Sequence, residues 1–264
     1  MEKKVIYYQD ELNDDFADNN IKGKAIDSNY RYINNSWLFK FNSFWLRNLF
    51  AIPVLTIAML FMYRPKIKNK EILKGLKKKG YYIYANHVLP LDPIIIPVKA
   101  NPGKACVIIS SHDAFSINPV VTWLIKHFYT IPIPNDKEMF DNYVNALSWH
   151  INKRHRVLIF PEAHIWPYYT GIRPFTSASF RYPVTANKPV ICLTNTYLPK
   201  DKKWKRCRLV THIDGPFYPD PELSQKEAAQ KLRDEVYECM IARSQEKKQF
   251  EHYRYIDLSK IEEK

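Results

Sequence analysis

Short apolar runs alternate along this chain with longer stretches in which apolar residues recur every three or four positions. The runs fall at residues 81–85 (YYIYA), 105–110 (ACVIIS), 129–133 (YTIPI), 156–160 (RVLIF), 189–194 (PVICLT) and 208–213. Runs this short, many of them rich in β-branched and aromatic side chains, predict buried strands. Between them, residues 119–128 and 136–154 read as helices. In the second of these Phe140, Tyr143, Val144, Leu147 and Ile151 share one face. Residues 174–182 predict a short helix, and residues 224–243 a longer one opened by a capping box of Ser224 and Glu227. Strands separated by helices predict an α/β fold: a single mainly parallel sheet flanked by helices, with room for antiparallel edges. Ligands of such sheets gather at the carboxyl ends of the strands.

Two regions before residue 80 depart from that alternation. Residues 1–29 hold Glu2, Asp10, Glu11, Asp14, Asp15 and Asp18 with no sustained apolar period, which predicts a poorly packed, solvated arm. Residues 37–63 (WLFKFNSFWLRNLFAIPVLTIAMLFMY) are strongly apolar but contain Arg47 and Pro53. A membrane span needs about 20 apolar residues, so one spanning helix requires recruiting Trp45 and letting Arg47 snorkel. Two helices, 37–50 and 53–63, bent at Pro53, fit better. They form an N-terminal apolar two-helix membrane-associating element, with Trp37, Phe44 and Trp45 at headgroup depth. The competing reading is that both helices cover the sheet.

Charge favours the membrane. Residues 64–79 carry Arg64, Lys66, Lys68, Lys70, Lys74, Lys77, Lys78 and Lys79 against Glu71 alone. Basic residues near an anionic leaflet contribute about 1 kcal/mol each, and they mark the cytoplasmic side. The expected location is therefore the cytoplasmic face of the cell membrane, monotopic or peripheral. A second basic cluster, residues 200–208, fits either a hairpin tip at the membrane or an exposed loop. The whole 264-residue chain has a formal net charge of +13, which calls for an anionic partner. Its basic residues flank apolar stretches instead of interleaving with stacking aromatics, and no nucleic-acid-binding motif is present, so no nucleic acid is expected. The cysteines Cys106, Cys192, Cys207 and Cys239 form no CxxC pair and no His/Cys cluster, so neither a metal site nor a disulfide framework is indicated. The first twenty residues are acidic and polar, unlike a secretory signal.

The candidate chemistry begins at residues 81–93 (YYIYANHVLPLDP). Histidine takes and returns protons near neutral pH. Asp92, across a proline-containing turn, can fold back on His87, fix its tautomer and stabilise the imidazolium. Asp92-Pro93 is equally the signature of a helix start. A second strand end carries Phe160, Pro161 and Glu162, then Ala163 and His164. Glu162 suits either positioning of a substrate or tying down loop amides.

Together these residues resemble the glycerolipid acyltransferase family, which includes the 1-acyl-glycerol-3-phosphate acyltransferases. The family's Asn-His, four residues, Asp is matched at Asn86-His87 to Asp92, and the start of its Phe-Pro-Glu-Gly-x-Arg motif at Phe160, Pro161 and Glu162. A downstream Pro-Phe and a Pro-Val strand match at Pro174-Phe175 and Pro189-Val190, so the resemblance covers residues 81–193. It implies phospholipid biosynthesis: an acyl chain passes from acyl-CoA or acyl carrier protein, a co-substrate, to a lysophospholipid hydroxyl. His87 would be general base, Asp92 its orienting partner and Glu162 a positioning group, with no metal, no other cofactor and no covalent enzyme intermediate.

The departures bear on the acceptor. The second motif's phosphate-gripping Arg is absent from residues 129–136, which end in Asn135 and Asp136. Ala163-His164-Ile165 replaces Gly-x-Arg, and Thr176 and Ala178 replace the Lys and Gly after the Pro-Phe. Asn86, Pro161, His164 and Arg173 are the further candidate substrate-binding residues, with Arg181 nearby; Arg suits a phosphate best. The family makes 1-acyl-glycerol-3-phosphate the first acceptor, a different lysolipid or glycolipid the alternative, and a catalytically inactive lipid-binding protein the reading beyond it. The expected organisation is an acidic arm (1–30), membrane-associating helices with the basic segment (31–79), the α/β core (80–221) and a C-terminal helix and tail (222–264). The acyl-chain length, the donor and the oligomeric state are not encoded in these patterns.

Overall fold

A computed structural model of the chain describes residues 4–16, 23, 25–27, 29–89, 92–93, 105–199 and 207–262. Its centre is a seven-stranded sheet made of β2 (Lys66–Lys68), β3 (Tyr81–Ala85), β4 (Cys106–Ser110), β5 (Thr130–Pro132), β6 (Arg156–Ile159), β7 (Val190–Leu198) and β8 (Arg208–Phe217). The spatial order is β2-β8-β7-β3-β6-β4-β5. Every neighbouring pair is parallel except β7 with β8. This is the mainly parallel sheet with an antiparallel departure that the sequence predicts.

The central strands read as unbroken apolar runs because both faces are covered. Tyr82, Tyr84, Val107, Val157 and Ile159 point to one side. There they meet Tyr143, Leu147 and Ile151 of α4 (Phe140–Asn152) and Leu232, Val236 and Met240 of α6 (Gln225–Gln245). The α6 capping box forms between Ser224 and Glu227. Tyr81, Ile83, Ala85, Ile108 and Leu158 point to the other side, with Leu73 and Leu76 from a 3-10 turn, Lys70–Leu76. Two further helices connect strands: α3 (Pro119–His127) precedes β5, and α5 (Arg181–Ala186) precedes β7.

Two sequence expectations are corrected. The amino-terminal arm is not a solvated tail where it is described. β1 (Lys4–Tyr8) pairs in parallel with β9 (Tyr253–Asp257), and α7 (Ser259–Glu262) follows. Tyr8 and Phe16 pack on Trp166, with ring centroids 4.8 and 5.1 Å apart, and the Trp166 indole N–H donates to the Asp14 carbonyl at 2.7 Å. The acids shape a turn: Asp14 Oδ2 accepts from the backbone N–H groups of Gln9 and Asp10.

Nor is the apolar segment two helices broken at the proline. It is helical from α1 (Trp37–Trp45) through a π-helical stretch, Leu46–Ala51, into α2 (Ile52–Tyr63). Pro53 lies inside this continuous helix, where the wider π turn before it gives the ring room. The resulting 27-residue helix is long and apolar enough to cross a membrane. The basic segment 64–79 contributes β2 to the sheet and is thus partly built into the core. Within the basic cluster 200–208, residues 200–206 lie outside the described part, and so do residues 94–104.

Candidate active site

β3 and β6 are parallel neighbours, so they deliver their carboxyl ends to the same edge of the sheet. His87 follows β3 and Glu162 follows β6. β7, parallel to β3 on its other side, brings Asn195 to that edge as well. The topology thus gathers three distant segments where α/β sheets hold their ligands.

His87 is held from several directions. Its backbone N–H donates to Glu162 Oε2 at 3.1 Å, and its carbonyl accepts from the Trp166 N–H at 3.3 Å. Phe160 stacks on the imidazole, 4.2 Å between centroids and 23° from parallel. The side chain keeps 16% exposure, enough for a small hydroxyl to reach it, while Asp92 has none. His87 Nδ1 lies 3.6 Å from Asp92 Oδ2. That is an ion-pair separation a few tenths of an ångström beyond a hydrogen bond, of the kind that tightens when a substrate completes a site. Nδ1 has no hydrogen-bond partner among the described residues.

Asp92 is fixed independently of the histidine. Its Oδ2 accepts from the N–H groups of Val88 and Leu89 at 2.8 and 2.7 Å, and its Oδ1 from Asn195 Nδ2 at 3.1 Å. Three N–H donors compensate the burial of the carboxylate and set its plane. The side chain turns back onto the backbone of Val88 and Leu89, so the residues after His87 and the acid hold each other.

Glu162 is buried. Its Oε1 accepts from the Arg173 N–H at 3.1 Å, and the Arg173 guanidinium stands 3.8 Å from Oε2. Desolvation pushes the Glu162 carboxyl up from its ordinary range, and Arg173 followed by the two backbone N–H donors pulls it back. Arg173 itself has no exposed side-chain surface. Its guanidinium donates to the carbonyls of Glu162, His164 and Glu11 and lies 5.0 Å from the Trp166 ring centre.

Against the expectation that Asn86 and Arg173 face the substrate, both are buried and committed to other partners. Asn86 exchanges two hydrogen bonds with the Asn195 backbone, at 3.0 and 2.8 Å, and so joins the end of β3 to β7. Pro161 is half-buried in the turn after β6. His164 is half-exposed, with Nδ1 3.4 Å from Asp15 Oδ2, and Ile165 is buried. Ala163, in the place of the family's glycine, adopts φ +63, the left-handed region that glycine enters without a Cβ penalty. Asn195 is the residue that sequence reasoning missed. The available signal was an amide, flanked by Thr194 and Thr196, in the continuation of an apolar strand.

Among the described residues, no three His, Cys, Asp or Glu side chains gather closely enough to hold a metal ion. The arrangement can hold an imidazole beside a buried carboxylate and lend its outer nitrogen to a proton donor.

Comparison with known proteins bears on the family and the fold. Residues 64–195, half of the chain, match the family model described as Acyltransferase. Among solved structures, the chain resembles the crystal structure of the 1-acyl-sn-glycerophosphate (LPA) acyltransferase PlsC from Thermotoga maritima. The TM-score is 0.54 at 16% identity, over 77% of this chain and 86% of that one, a likeness of fold. No curated protein sequence matches the chain.

Proposed function

This chain belongs to the acyltransferase family, and from that premise we propose that it is a membrane-associated O-acyltransferase. It moves an acyl chain from a thioester of coenzyme A or acyl carrier protein to the hydroxyl of a lysophospholipid. The observation that carries the reading is the half-buried His87 imidazole with one nitrogen turned to a carboxylate that the fold itself has fixed.

In this mechanism Asp92 keeps the proton on Nδ1 and leaves Nε2 free. Nε2 takes the acceptor's hydroxyl proton as the oxygen attacks the thioester carbonyl. The C–O bond forms, the C–S bond breaks, and the departing thiolate recovers the proton from the imidazolium. Asp92 stabilises that cation as it forms. The chemistry asks for no metal and no acyl-enzyme. Glu162 holds the His87 backbone and Arg173 holds Glu162, so both act as positioning residues.

The exposed apolar side chains of the long helix, among them Trp37, Leu38, Phe44, Phe50, Val54 and Phe61, support membrane residence. The basic segment that follows supports an anionic, cytoplasmic leaflet.

1-Acyl-glycerol-3-phosphate is the first acceptor. A specific observation favours a second reading, a lysolipid with another headgroup: Ile165 stands where the family has Arg, and Arg173 is turned inward. The deciding experiment is a panel of lysolipid acceptors, with and without a phosphomonoester, against one acyl thioester. Turnover confined to the phosphomonoester supports the first reading, and turnover confined to other headgroups the second. No thioester consumption with any acceptor overturns both.

A further inference from the structure

A second polar site lies away from His87, under the amino-terminal half of the long helix. A groove of about 630 Å³ runs between α1, the end of α3, the edge strand β5 and the carboxyl end of α4. It approaches the sheet from the β5 edge, whereas His87 and Glu162 sit beyond the carboxyl ends of β3 and β6.

The composition of the groove is one-sided. Arg31, Lys40, Arg47 and Lys126 line it, and no Asp or Glu is among the described lining residues. Two of these cations use aromatic faces: Lys126 Nζ lies 5.3 Å from the Tyr30 ring centre, and Arg47 Cζ 5.6 Å from that of Tyr129. Two histidines deepen the wall, with His150 Nδ1 3.0 Å from His155 Nδ1. Burial, then the neighbouring imidazole, pushes His150 down to about 4, so it stays neutral in this crowd of positive charge. Four permanent cations in one cavity repel one another, and an anion that enters relieves the repulsion.

The mouth of the groove shows where that anion comes from. Trp37, 74% exposed, stacks on Phe41 at 5.3 Å, and both line the groove while belonging to the apolar face of the long helix. Exposed Val120 and Trp123 of α3, which α1 touches, extend that apolar surface. Aromatic rings at the rim of a basic cavity match the boundary between acyl chains and headgroups. The volume is that of a small-ligand site.

We infer that this groove binds the phosphate headgroup of an anionic membrane phospholipid that is not the substrate, its acyl chains lying along Trp37 and Phe41. The inference rests on the membrane-bound reading above but not on the chemistry of His87 or the identity of the acceptor.

Its test is direct binding of soluble short-chain lipids to the full-length protein in neutral detergent. Dihexanoyl phosphatidylglycerol is expected to bind about tenfold or more tighter than dihexanoyl phosphatidylcholine. In the double variant Arg31→Ala/Lys126→Ala that preference disappears, while the folded far-ultraviolet spectrum and thioester turnover in neutral micelles stay as in the wild type. Lys126→Gln alone, expected to reduce the preference, serves if the double variant does not fold. Equal affinity for the two lipids, or a preference that survives both variants, overturns the inference. So does tighter binding of inorganic phosphate, coenzyme A or a short single-stranded oligonucleotide at the same residues. Because the readout is binding, a protein inactive in acyl transfer can still pass, and an active one can still fail.

Discussion

Asn195 Nδ2 donates to Asp92 Oδ1 at 3.1 Å while the backbone of the same residue exchanges two hydrogen bonds with the side chain of Asn86. One position on β7 therefore holds both the residue before His87 and the carboxylate that faces it. Thr211 on β8 fixes the amide in turn, its hydroxyl donating to Asn195 Oδ1 at 2.7 Å. The His87–Asp92 pair is braced from the antiparallel side of the sheet.

Removing that brace is expected to separate rate from binding. Asn195→Ala leaves a buried carboxylate oxygen without its donor, at a cost of about 1–3 kcal/mol. The turnover number should fall on the order of tenfold or more with KM little changed, because the acceptor is not touched. Steady-state kinetics with one lysolipid, alongside thermal unfolding, separates this from a merely structural role, in which stability drops and kcat does not.

The Glu162–Arg173 pair gives a stability prediction. Arg173→Met leaves a buried carboxyl facing an apolar side chain and is expected to destabilise by about 3–5 kcal/mol. The double variant Arg173→Met/Glu162→Gln should recover part of that loss, since the unpaired charge is gone. Denaturant unfolding of the three proteins reads this out, and a double variant no better than Arg173→Met would argue against charge burial as the cause.

Ala163 offers the opposite sign. At φ +63 its Cβ costs about 1–2 kcal/mol, against a smaller entropic cost of glycine in the unfolded chain. Ala163→Gly should raise stability by up to about 1 kcal/mol with turnover unchanged, seen as a higher denaturant midpoint at constant slope.

His150 predicts a stability that depends on pH. Its folded pKa is pushed down to about 4 from the ordinary 6.5, so the unfolded chain binds the proton more readily between those values. Stability is then full above about pH 6.5 and is lost as the pH falls towards 4, by about 3 kcal/mol from this group. His150→Gln should flatten that part of the profile in chemical denaturation. An equally steep profile in the variant would place the acid sensitivity elsewhere.

How much of this was legible beforehand follows from the range of the interactions. The strand runs, the helices of the core and the mainly parallel sheet were readable because apolar period and turn residues are local signals. His87, Asp92 and Glu162 stood at recognisable strand ends. The pairing of β1 with β9 was hidden, because five residues at one end of the chain find their partners at the other. The continuity of helix through Pro53 was hidden too, since a π turn absorbs the proline without leaving a mark on the hydropathy pattern. Arg173 was legible only as a candidate substrate-binding cation. Only the folded chain brings Glu162, Trp166 and the Glu11 carbonyl around it.

The central claim is that the His87 imidazole removes the acceptor's proton. The direct measurement is thioester consumption by purified His87→Ala protein, with an acceptor that the wild type uses and with folding verified independently. Loss of the general base is expected to lower the rate by about 10²- to 10⁴-fold. A rate equal to that of the wild type would contradict the account.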